Sequence, residues 1–227
     1  MREITLDARL ARAFEMVPEC RVCADIGADH GFLSAQLLMS GRVQRMHICD
    51  ISAPSLDKAR RLFAGDALES RAVFGVGDGL APVDEPLDAC VISGMGGETM
   101  IGIMRRGMDV IKHATLILQP NVDPDEVREF LYDNGFCVIN EDLIFDGKWW
   151  YFIIKAEPNV KAERPDDDAL MVGSMLIKNR HPLLPEYAKR QVRILTKALA
   201  PMDESLARAA ELRHKRAVWE EIANWQQ

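Results

Sequence analysis

Three aspartates in the first part of the chain each follow a short hydrophobic run that predicts a β-strand. Asp25 opens the segment Asp25-Ile-Gly27-Ala-Asp29-His30-Gly31, Asp50 ends the next predicted strand, and Asp78 lies in Gly77-Asp78-Gly79. Ligands of open α/β sheets bind outside the carboxyl ends of the strands, so we expect these carboxylates to converge. Aspartate is also common in turns, but three acids at three successive strand ends favour a binding site.

The charge of the first segment indicates which ligand it would hold. Its glycines let a ligand approach the main chain and the start of the following helix. Asp29 stands where the GxGxxG turn of NAD enzymes has its middle glycine, and its carboxylate would repel a pyrophosphate. S-adenosylmethionine (AdoMet) has no phosphate and carries a sulfonium and an ammonium group, which Asp25 and Asp29 would attract. AdoMet is therefore the predicted cofactor, and an NAD-dependent oxidoreductase is disfavoured.

The other two aspartates fit the nucleoside part of the same molecule. Asp50 can accept hydrogen bonds from both ribose hydroxyls. Asp78 can accept one from the exocyclic amine of adenine, and the neighbouring Ile51 and Leu80 could enclose the adenine ring.

A glycine-rich loop, Ser93-Gly94-Met95-Gly96-Gly97, follows the predicted fourth strand. Its glycines leave room for two flat reactants to meet, and its backbone amides and carbonyls can hold a base edge-on. A merely flexible loop is the alternative, but the position at a strand end favours a functional role.

Asn121 follows the predicted fifth strand and is the candidate for substrate contact. Its amide has a donor side and an acceptor side, which match the N6/N7 edge of adenine. A turn asparagine after Pro120 is an equally good interpretation. Asn121 and Met95 are the predicted catalytic-site residues.

Hydrophobic periodicity predicts the elements that position these residues. Strands are predicted at 21–26, 46–50, 72–76, 87–93, 115–119, 136–144 and 149–155, and helices at 6–17, 32–39, 52–63, 98–112 and 124–134. Five alternations of strand and helix predict a mostly parallel, Rossmann-like α/β sheet with helices on both faces. Asp146-Gly147 predicts an antiparallel hairpin at the end of the sheet, which distinguishes the class I methyltransferase fold from a plain dinucleotide-binding fold.

The remaining part of the chain predicts a helical appendage. A charged linker at 157–168 precedes two amphipathic helices, at 185–199 and 204–225, which we expect to form an antiparallel pair. The predicted domains are residues 1–160, which would bind AdoMet, and residues 161–227.

The charge is distributed unevenly between these parts. The chain has a net charge of −7, yet residues 180–216 hold nine Lys/Arg against four Asp/Glu. A basic segment on an acidic protein suggests an extended polyanionic partner, although a solvated helical face explains the cluster equally well.

Composition and cysteine spacing exclude several classes. Hydrophobic residues make up 48% and charged residues 28% of the chain, which is ordinary for a folded domain. The chain lacks an apolar run of the ~18–20 residues that a membrane helix needs and a signal-peptide core, so a cytoplasmic protein is expected. Cys20 and Cys23 form a CxxC without a second pair, which favours packing over zinc, and no metal is predicted.

The motifs taken together resemble one family, the bacterial tRNA adenine-N1 methyltransferases that act on the adenine at tRNA position 22. The likeness covers nearly the whole chain and rests on four segments: 24–30, Gly77-Asp78-Gly79-Leu80, Gly94-Met95-Gly96-Gly97 and Leu118-Gln119-Pro120-Asn121. The chain departs from the family at Gly31-Phe32-Leu33-Ser34, where Ala-Tyr-Leu-Pro is usual.

The resemblance implies AdoMet-dependent methylation of N1 of an adenine in tRNA, with the helical appendage helping to hold the tRNA. The residues expected to bind AdoMet are Asp25, Gly27, Asp29, His30, Gly31, Asp50, Ile51, Asp78, Gly79, Gly94 and Gly96. Those expected to contact RNA are Lys189, Arg190, Arg193, Lys197, Arg213, Lys215 and Arg216. A small-molecule methyltransferase and a non-catalytic RNA-binding protein are the alternative functions.

Overall fold

A seven-stranded sheet in the order β3-β2-β1-β4-β5-β7-β6 forms the centre of the computed structural model, which describes residues 4–159 and 161–225. Strands β1 to β5 are parallel, and β7 pairs antiparallel with both β5 and β6. This arrangement confirms the predicted mostly parallel sheet with a terminal antiparallel hairpin. The strands are β1 (Cys20–Ile26), β2 (Val43–Asp50), β3 (Ala72–Val76), β4 (Ala89–Met95), β5 (Thr115–Pro120), β6 (Phe136–Phe145) and β7 (Trp150–Pro158).

Helices cover both faces of this sheet, and their ends follow local sequence signals. Asp7 caps the first helix, because its Oδ1 accepts a hydrogen bond of 2.7 Å from the Leu10 amide. Prolines occupy the first turn of the third and sixth helices, where no backbone donor is lost. The helices are α1 (Ala8–Met16), α2 (Phe32–Met39), α3 (Ala53–Phe63), α4 (Gly97–Arg106), α5 (Met108–Ile111), α6 (Pro124–Asp133), α7 (Asp167–Val172), α8 (Ser174–Lys178), α9 (Leu184–Leu199) and α10 (Ala207–Ala223).

Two details of the predicted helices are wrong. The predicted helix 98–112 is divided into α4 and α5 at Gly107, where a Cβ atom would lie only 2.3 Å from Leu80 Cδ1. The predicted charged linker contains the start of α7, and α8 follows it directly.

The central strands are buried on both faces, as parallel sheets require. Val22, Cys23 and Ala24 of β1 and Val91 of β4 are fully buried, so Cys23 packs as a core residue. All five cysteines are free thiols.

The C-terminal helices pack directly on the outer face of the β6–β7 hairpin. Leu143 and Phe152 of the hairpin contact a cluster that includes Leu176, Leu184 and Trp219. The predicted domain boundary between residues 160 and 161 falls at Val160, which lies outside the described residues. Residues 1–3, on which the signal-peptide prediction partly rests, also lie outside them. None of the helices in the described part of the chain combines the length and hydrophobicity needed to span a bilayer.

Candidate functional site

A cavity of about 220 Å³ lies beyond the carboxyl ends of β1 and β4. Five residues of the predicted cofactor set line it, which are Asp25, Gly27, Asp29, His30 and Gly94. The other lining residues are Arg9, Leu10, Ala28, Phe32, Leu33 and Ser93. The structure therefore gathers the first predicted segment and the start of the glycine-rich loop around one space.

Asp25 is the most deeply buried acid in this cavity, with 3% of its surface exposed. Ser34 Oγ donates a hydrogen bond of 2.7 Å to Asp25 Oδ2. Burial raises the pKa of Asp25 to about 6, although the Ser34 hydrogen bond and the charge of Arg9 oppose the shift. Sequence reasoning missed Ser34, which stands where the resembled family usually has proline, a residue that could not donate this bond.

The turn after β1 brings its backbone close to the cavity. Gly27 has φ of +76°, and a Cβ atom at that position would lie 2.3 Å from Met95 Cε, so the close contact with the glycine-rich loop requires glycine. Asp29 also has a positive φ, of 43°, and its amide donates to Asp50 Oδ2 at 3.2 Å. Gly31, in the same left-handed region, is the N-cap of α2.

Asp29 is held ionised by two neighbours. His30 Nδ1 lies 2.6 Å from its Oδ2 and Lys58 Nζ lies 3.4 Å from its Oδ1. Partial burial opposes ionisation, but the hydrogen bonds from His30 and Lys58 lower the pKa of Asp29 below its usual range. The ring of His30 stacks on the ring of Phe32 with centroids 5.3 Å apart, and both residues line the cavity.

Asp50 adjoins the cavity from the end of β2. Its Oδ1 accepts from the Ser52 amide at 2.7 Å, and its Oδ2 accepts from Asp29, so the carboxylate joins the turns after β1 and β2. The next residue, Ile51, is 73% exposed and forms an apolar surface beside this carboxylate.

The structure does not bring Asp78 into the cavity lined by Asp25. Asp78 lies at a second cavity of about 330 Å³ with Leu80 and Arg106, and its Oδ1 accepts from Arg106 Nη2 at 2.9 Å. Because β3 is two strands away from β1, the two strand ends are separated by about 10 Å. Asp25 and Asp78 therefore line separate cavities in this structure, and the adenine contact assigned to Asp78 and Gly79 stays a prediction.

Asn121 connects the end of β5 to the glycine-rich loop. Its Nδ2 donates to the Gly94 carbonyl at 2.8 Å, and its Oδ1 accepts from Gln119 Nε2 at 3.1 Å. Gln119 Oε1 in turn accepts from the Gly94 amide at 3.1 Å, and Gly96 is the N-cap of α4. Both sides of the Asn121 amide are thus engaged within the protein, which leaves one N–H and one lone pair for a substrate.

Arg9 is the cavity residue that sequence reasoning missed entirely. Its Nη1 donates to Gln119 Oε1 at 2.7 Å, and its guanidinium carbon lies 5.8 Å from the centre of the Tyr151 ring. Among the described residues that line the cavity, Arg9 is the sole Lys or Arg. A single arginine on the polar face of an amphipathic helix carries no sequence signal of such a contact.

The predicted RNA-contacting residues separate into two groups. Lys189, Arg190, Arg193 and Lys197 of α9 are exposed, and within the described residues none of them forms an ion pair. The α10 group is engaged in the protein itself, because Lys215 pairs with Glu211 at 3.0 Å, Arg216 pairs with Glu220 at 3.2 Å, and Arg213 donates to the Glu204 carbonyl at 2.9 Å. Four exposed cations without an ion pair among the described residues thus lie together on α9.

One group of potential metal ligands lies outside this cavity. Side-chain atoms of His47, Asp84 and Glu85 lie within 4.8 Å of one another. His47 Nε2 is 2.9 Å from Glu85 Oε1, and Arg45 also pairs with Glu85. His47 and Glu85 are thus engaged with each other and with Arg45, and none of the three potential ligands lines the cavity beside Asp25.

Comparison with known families identifies residues 6–154 as a match to a family described as a methyltransferase domain. This stretch contains the whole cavity and all strands of the sheet except the end of β7.

Comparison with individual proteins confirms the resemblance drawn from the motifs. The chain is 28% identical over 225 residues to the tRNA (adenine(22)-N(1))-methyltransferase of Bacillus subtilis, a match that covers 98% of this chain and 88% of that protein. Among solved structures it is similar to a protein of the NADB-Rossmann superfamily from Streptococcus agalactiae, with 25% identity, a TM-score of 0.90 and coverage of 98% of this chain and 99% of that one. A structure of an M. capricolum relative in complex with S-adenosyl-homocysteine shares the fold at 20% identity, with a TM-score of 0.86 and coverage of 96% and 98%.

Proposed function

We propose that this chain, which belongs to the methyltransferase domain family, transfers the methyl group of AdoMet to N1 of an adenine in tRNA. One observation carries the proposal: a cavity at the carboxyl ends of β1 and β4 holds two aspartates and one arginine. The tRNA substrate is supported by the Bacillus subtilis relative, whose name specifies the adenine at tRNA position 22.

The charges in the cavity fit the methionine part of AdoMet. The carboxylates of Asp25 and Asp29 suit its ammonium and sulfonium groups, and the Arg9 guanidinium suits its carboxylate. The pyrophosphate of a dinucleotide would instead be repelled by both carboxylates. When bound, AdoMet supplies an electrophilic methyl group.

The nucleoside part of AdoMet would lie along the edge of the sheet toward β3. Asp50 offers acceptors for ribose hydroxyls, and the exposed Ile51 side chain offers an apolar surface for the adenine ring. Asp78 can take part because its Oδ1 is bonded to Arg106, while its Oδ2 accepts no hydrogen bond from the residues that the structure describes. We therefore retain Asp78 as a proposed adenine contact at the far end of the site.

The chain's contribution to the reaction is mainly orientation. N1 of adenine has an available lone pair at neutral pH, so methyl transfer needs no general base to activate it. The Gly94–Gly97 backbone would hold the base. The hydrogen bond from Asn121 Nδ2 fixes the position of the Gly94 carbonyl. The methylated base is cationic, and the acidic lining of the cavity favours that charge.

The rest of the tRNA would contact α9. Its four exposed and unpaired cations suit phosphate groups, whereas the paired cations of α10 are already neutralised. Such an enzyme would work in the cytoplasm, where tRNA is modified.

Transfer of a labelled methyl group from AdoMet to bulk tRNA lacking this modification tests the proposal. We expect label in wild-type reactions, loss of it with Asp25→Asn, and no change with Asp84→Asn, an exposed aspartate outside the cavity. AdoMet binding without transfer to tRNA would favour a small-molecule methyltransferase, and tRNA binding without AdoMet binding would favour a non-catalytic RNA-binding protein.

A further inference from the structure

The tip of the β6–β7 hairpin presents aromatic side chains next to the candidate site. Strand β7 pairs with β5 from Leu116 opposite Ala156 to Leu118 opposite Ile154. Because the two strands are antiparallel, residues 149–151 extend past the carboxyl end of β5, the edge of the sheet where Asn121 lies.

Two of these aromatic residues are unusually exposed. Trp149 is 56% exposed and Phe145 is 39% exposed. The Phe145 ring stacks on Trp150 with centroids 4.6 Å apart, and Lys148 Nζ lies 5.1 Å from the centre of the Trp149 ring. Clustered exposed aromatic groups are uncommon on a surface without a contact function.

Hydrogen bonds within the chain define the conformation of the tip. Asp146 Oδ1 accepts hydrogen bonds from the Lys148 amide at 3.0 Å and from the Trp149 amide at 2.8 Å. Ordering of the tip therefore costs little when a ligand binds, which favours a preformed contact surface.

The hairpin tip lies between the cofactor cavity and the basic face of α9. On one side, Arg9 lies over the Tyr151 ring and also lines the cavity. On the other side, Trp150 packs edge-on against Tyr187 of α9 at 5.3 Å. The hairpin therefore contacts both a residue of the cavity and the helix that carries the four exposed cations.

We propose that Phe145, Lys148 and Trp149 form a stacking surface for an unpaired tRNA base near the target adenine; this inference rests on the proposed function. An adenine whose N1 is to be methylated must leave its base pair or stack, which exposes neighbouring bases as well. Aromatic side chains bind unstacked bases through their faces with little dependence on sequence, and the Lys148 ammonium is placed to meet the adjoining phosphate.

Two substitutions at Trp149 and one matched control test this role. We expect Trp149→Ala to raise the Kd and KM for unmodified tRNA by about 5- to 100-fold while the Kd for AdoMet stays unchanged. Trp149→Phe, which keeps an aromatic face, should stay within about 3-fold of wild type. Met39→Ala removes an apolar side chain that is 47% exposed and lies before the start of β2, away from the hairpin tip, and it should change neither constant.

Tryptophan fluorescence distinguishes direct contact between Trp149 and tRNA from a purely structural role of Trp149. Addition of tRNA should quench the emission of the wild-type protein, and Trp149→Phe should lose most of that quenching while retaining methylation. Wild-type methylation together with unchanged tRNA affinity and KM in Trp149→Ala would overturn the stacking surface alone. Absence of tRNA methylation by the wild type would contradict the proposed function and the stacking surface with it.

Discussion

Asp25 combines a buried position with a proposed role, binding of the AdoMet ammonium group, that requires a negative charge. Its ionised form is opposed by burial, which raises its pKa to about 6, so the carboxyl group changes state just below neutral pH. A cation bound in the cavity would stabilise the ionised form and lower the pKa of Asp25. Ligand binding should therefore depend on pH.

AdoMet affinity should fall as the pH is lowered through about 6, because protonation of Asp25 removes the partner of the ligand's ammonium group. Titration calorimetry between pH 5 and 8 measures this dependence. Asp25→Asn keeps the acceptor for Ser34, and we expect it to bind AdoMet about tenfold or more weakly at pH 8, with a flatter pH profile. Equal affinity of the variant and the wild type at pH 8 would rule out the assignment of Asp25.

The same residue should make the ligand-free protein less stable at neutral pH. The folded-state pKa of Asp25 lies above its ordinary value of 3.8, so the folded protein binds the proton more tightly than the unfolded chain. Its contribution to stability is then gained as the pH falls from about 7 toward 4, and it is absent above the folded-state pKa. We expect Asp25→Asn to increase the free energy of unfolding at pH 8 by on the order of 3 kcal/mol, measured by denaturant titration without AdoMet. A less stable variant at that pH would contradict this account.

The residues of the site differ in how readily the sequence predicts them. Asp25, Gly27 and Asp29 are predictable because a turn between a strand and a helix places them at the cavity through local geometry alone. Arg9 is not, since its hydrogen bond to Gln119 joins residues 110 positions apart. The hydrogen bond between Asp78 and Arg106 likewise depends on how α4 packs, and the spacing of the strand ends in the sequence does not predict that packing.

At the scale of elements, the sequence predicts the sheet well because buried strands and amphipathic helices have distinct periods. It fails where a tertiary contact decides the outcome. Gly107 separates α4 from α5 through its contact with Leu80, and the short helices α7 and α8 form where the chain meets β6. In that region Arg128 Nε donates to Glu141 Oε1 at 2.6 Å, and Arg128 Nη1 donates to the Leu170 carbonyl at 2.9 Å.

The buried Arg128–Glu141 ion pair should be the main polar interaction that holds α7 and α8 against the sheet. Met175 also donates its amide to Glu141 Oε2 at 3.0 Å, so the pair holds both short helices. Glu141→Ala leaves the arginine charge buried without compensation, and we expect it to lower the free energy of unfolding by about 3–5 kcal/mol. The double variant Arg128→Met/Glu141→Met should lose less, as measured by urea unfolding. A loss at least as large in the double variant would show that the charge itself is not the cause.

At the scale of the whole molecule, the arrangement of charge matters more than its sum. The net charge is −7, yet four exposed cations that form no ion pair among the described residues lie together on α9, which packs against the β6–β7 hairpin. A tRNA would then be attracted to one face of an otherwise acidic protein.

Replacement of Lys189, Arg190, Arg193 and Lys197 by alanine should weaken tRNA binding and reduce its dependence on salt, with AdoMet affinity unchanged. Each lost phosphate contact lowers the slope of log Kd against log salt concentration by about 1. The matched control replaces Arg213, Lys215 and Arg216, whose partners lie within the protein, and should have the smaller effect on tRNA binding. Filter binding over a range of salt concentrations measures the Kd for tRNA of both variants. A larger increase in Kd for the α10 variant would contradict the assignment of tRNA binding to α9.

The proposed function is methyl transfer to one ring nitrogen of one tRNA base. Mass spectrometry of nucleosides and of nuclease fragments, from unmodified tRNA incubated with the protein and isotopically labelled AdoMet, measures this directly. We predict labelled 1-methyladenosine in the fragment that contains position 22, and none when Asp25→Asn replaces the wild type. Label on another nucleoside, or unlabelled tRNA despite tight AdoMet binding, would contradict it.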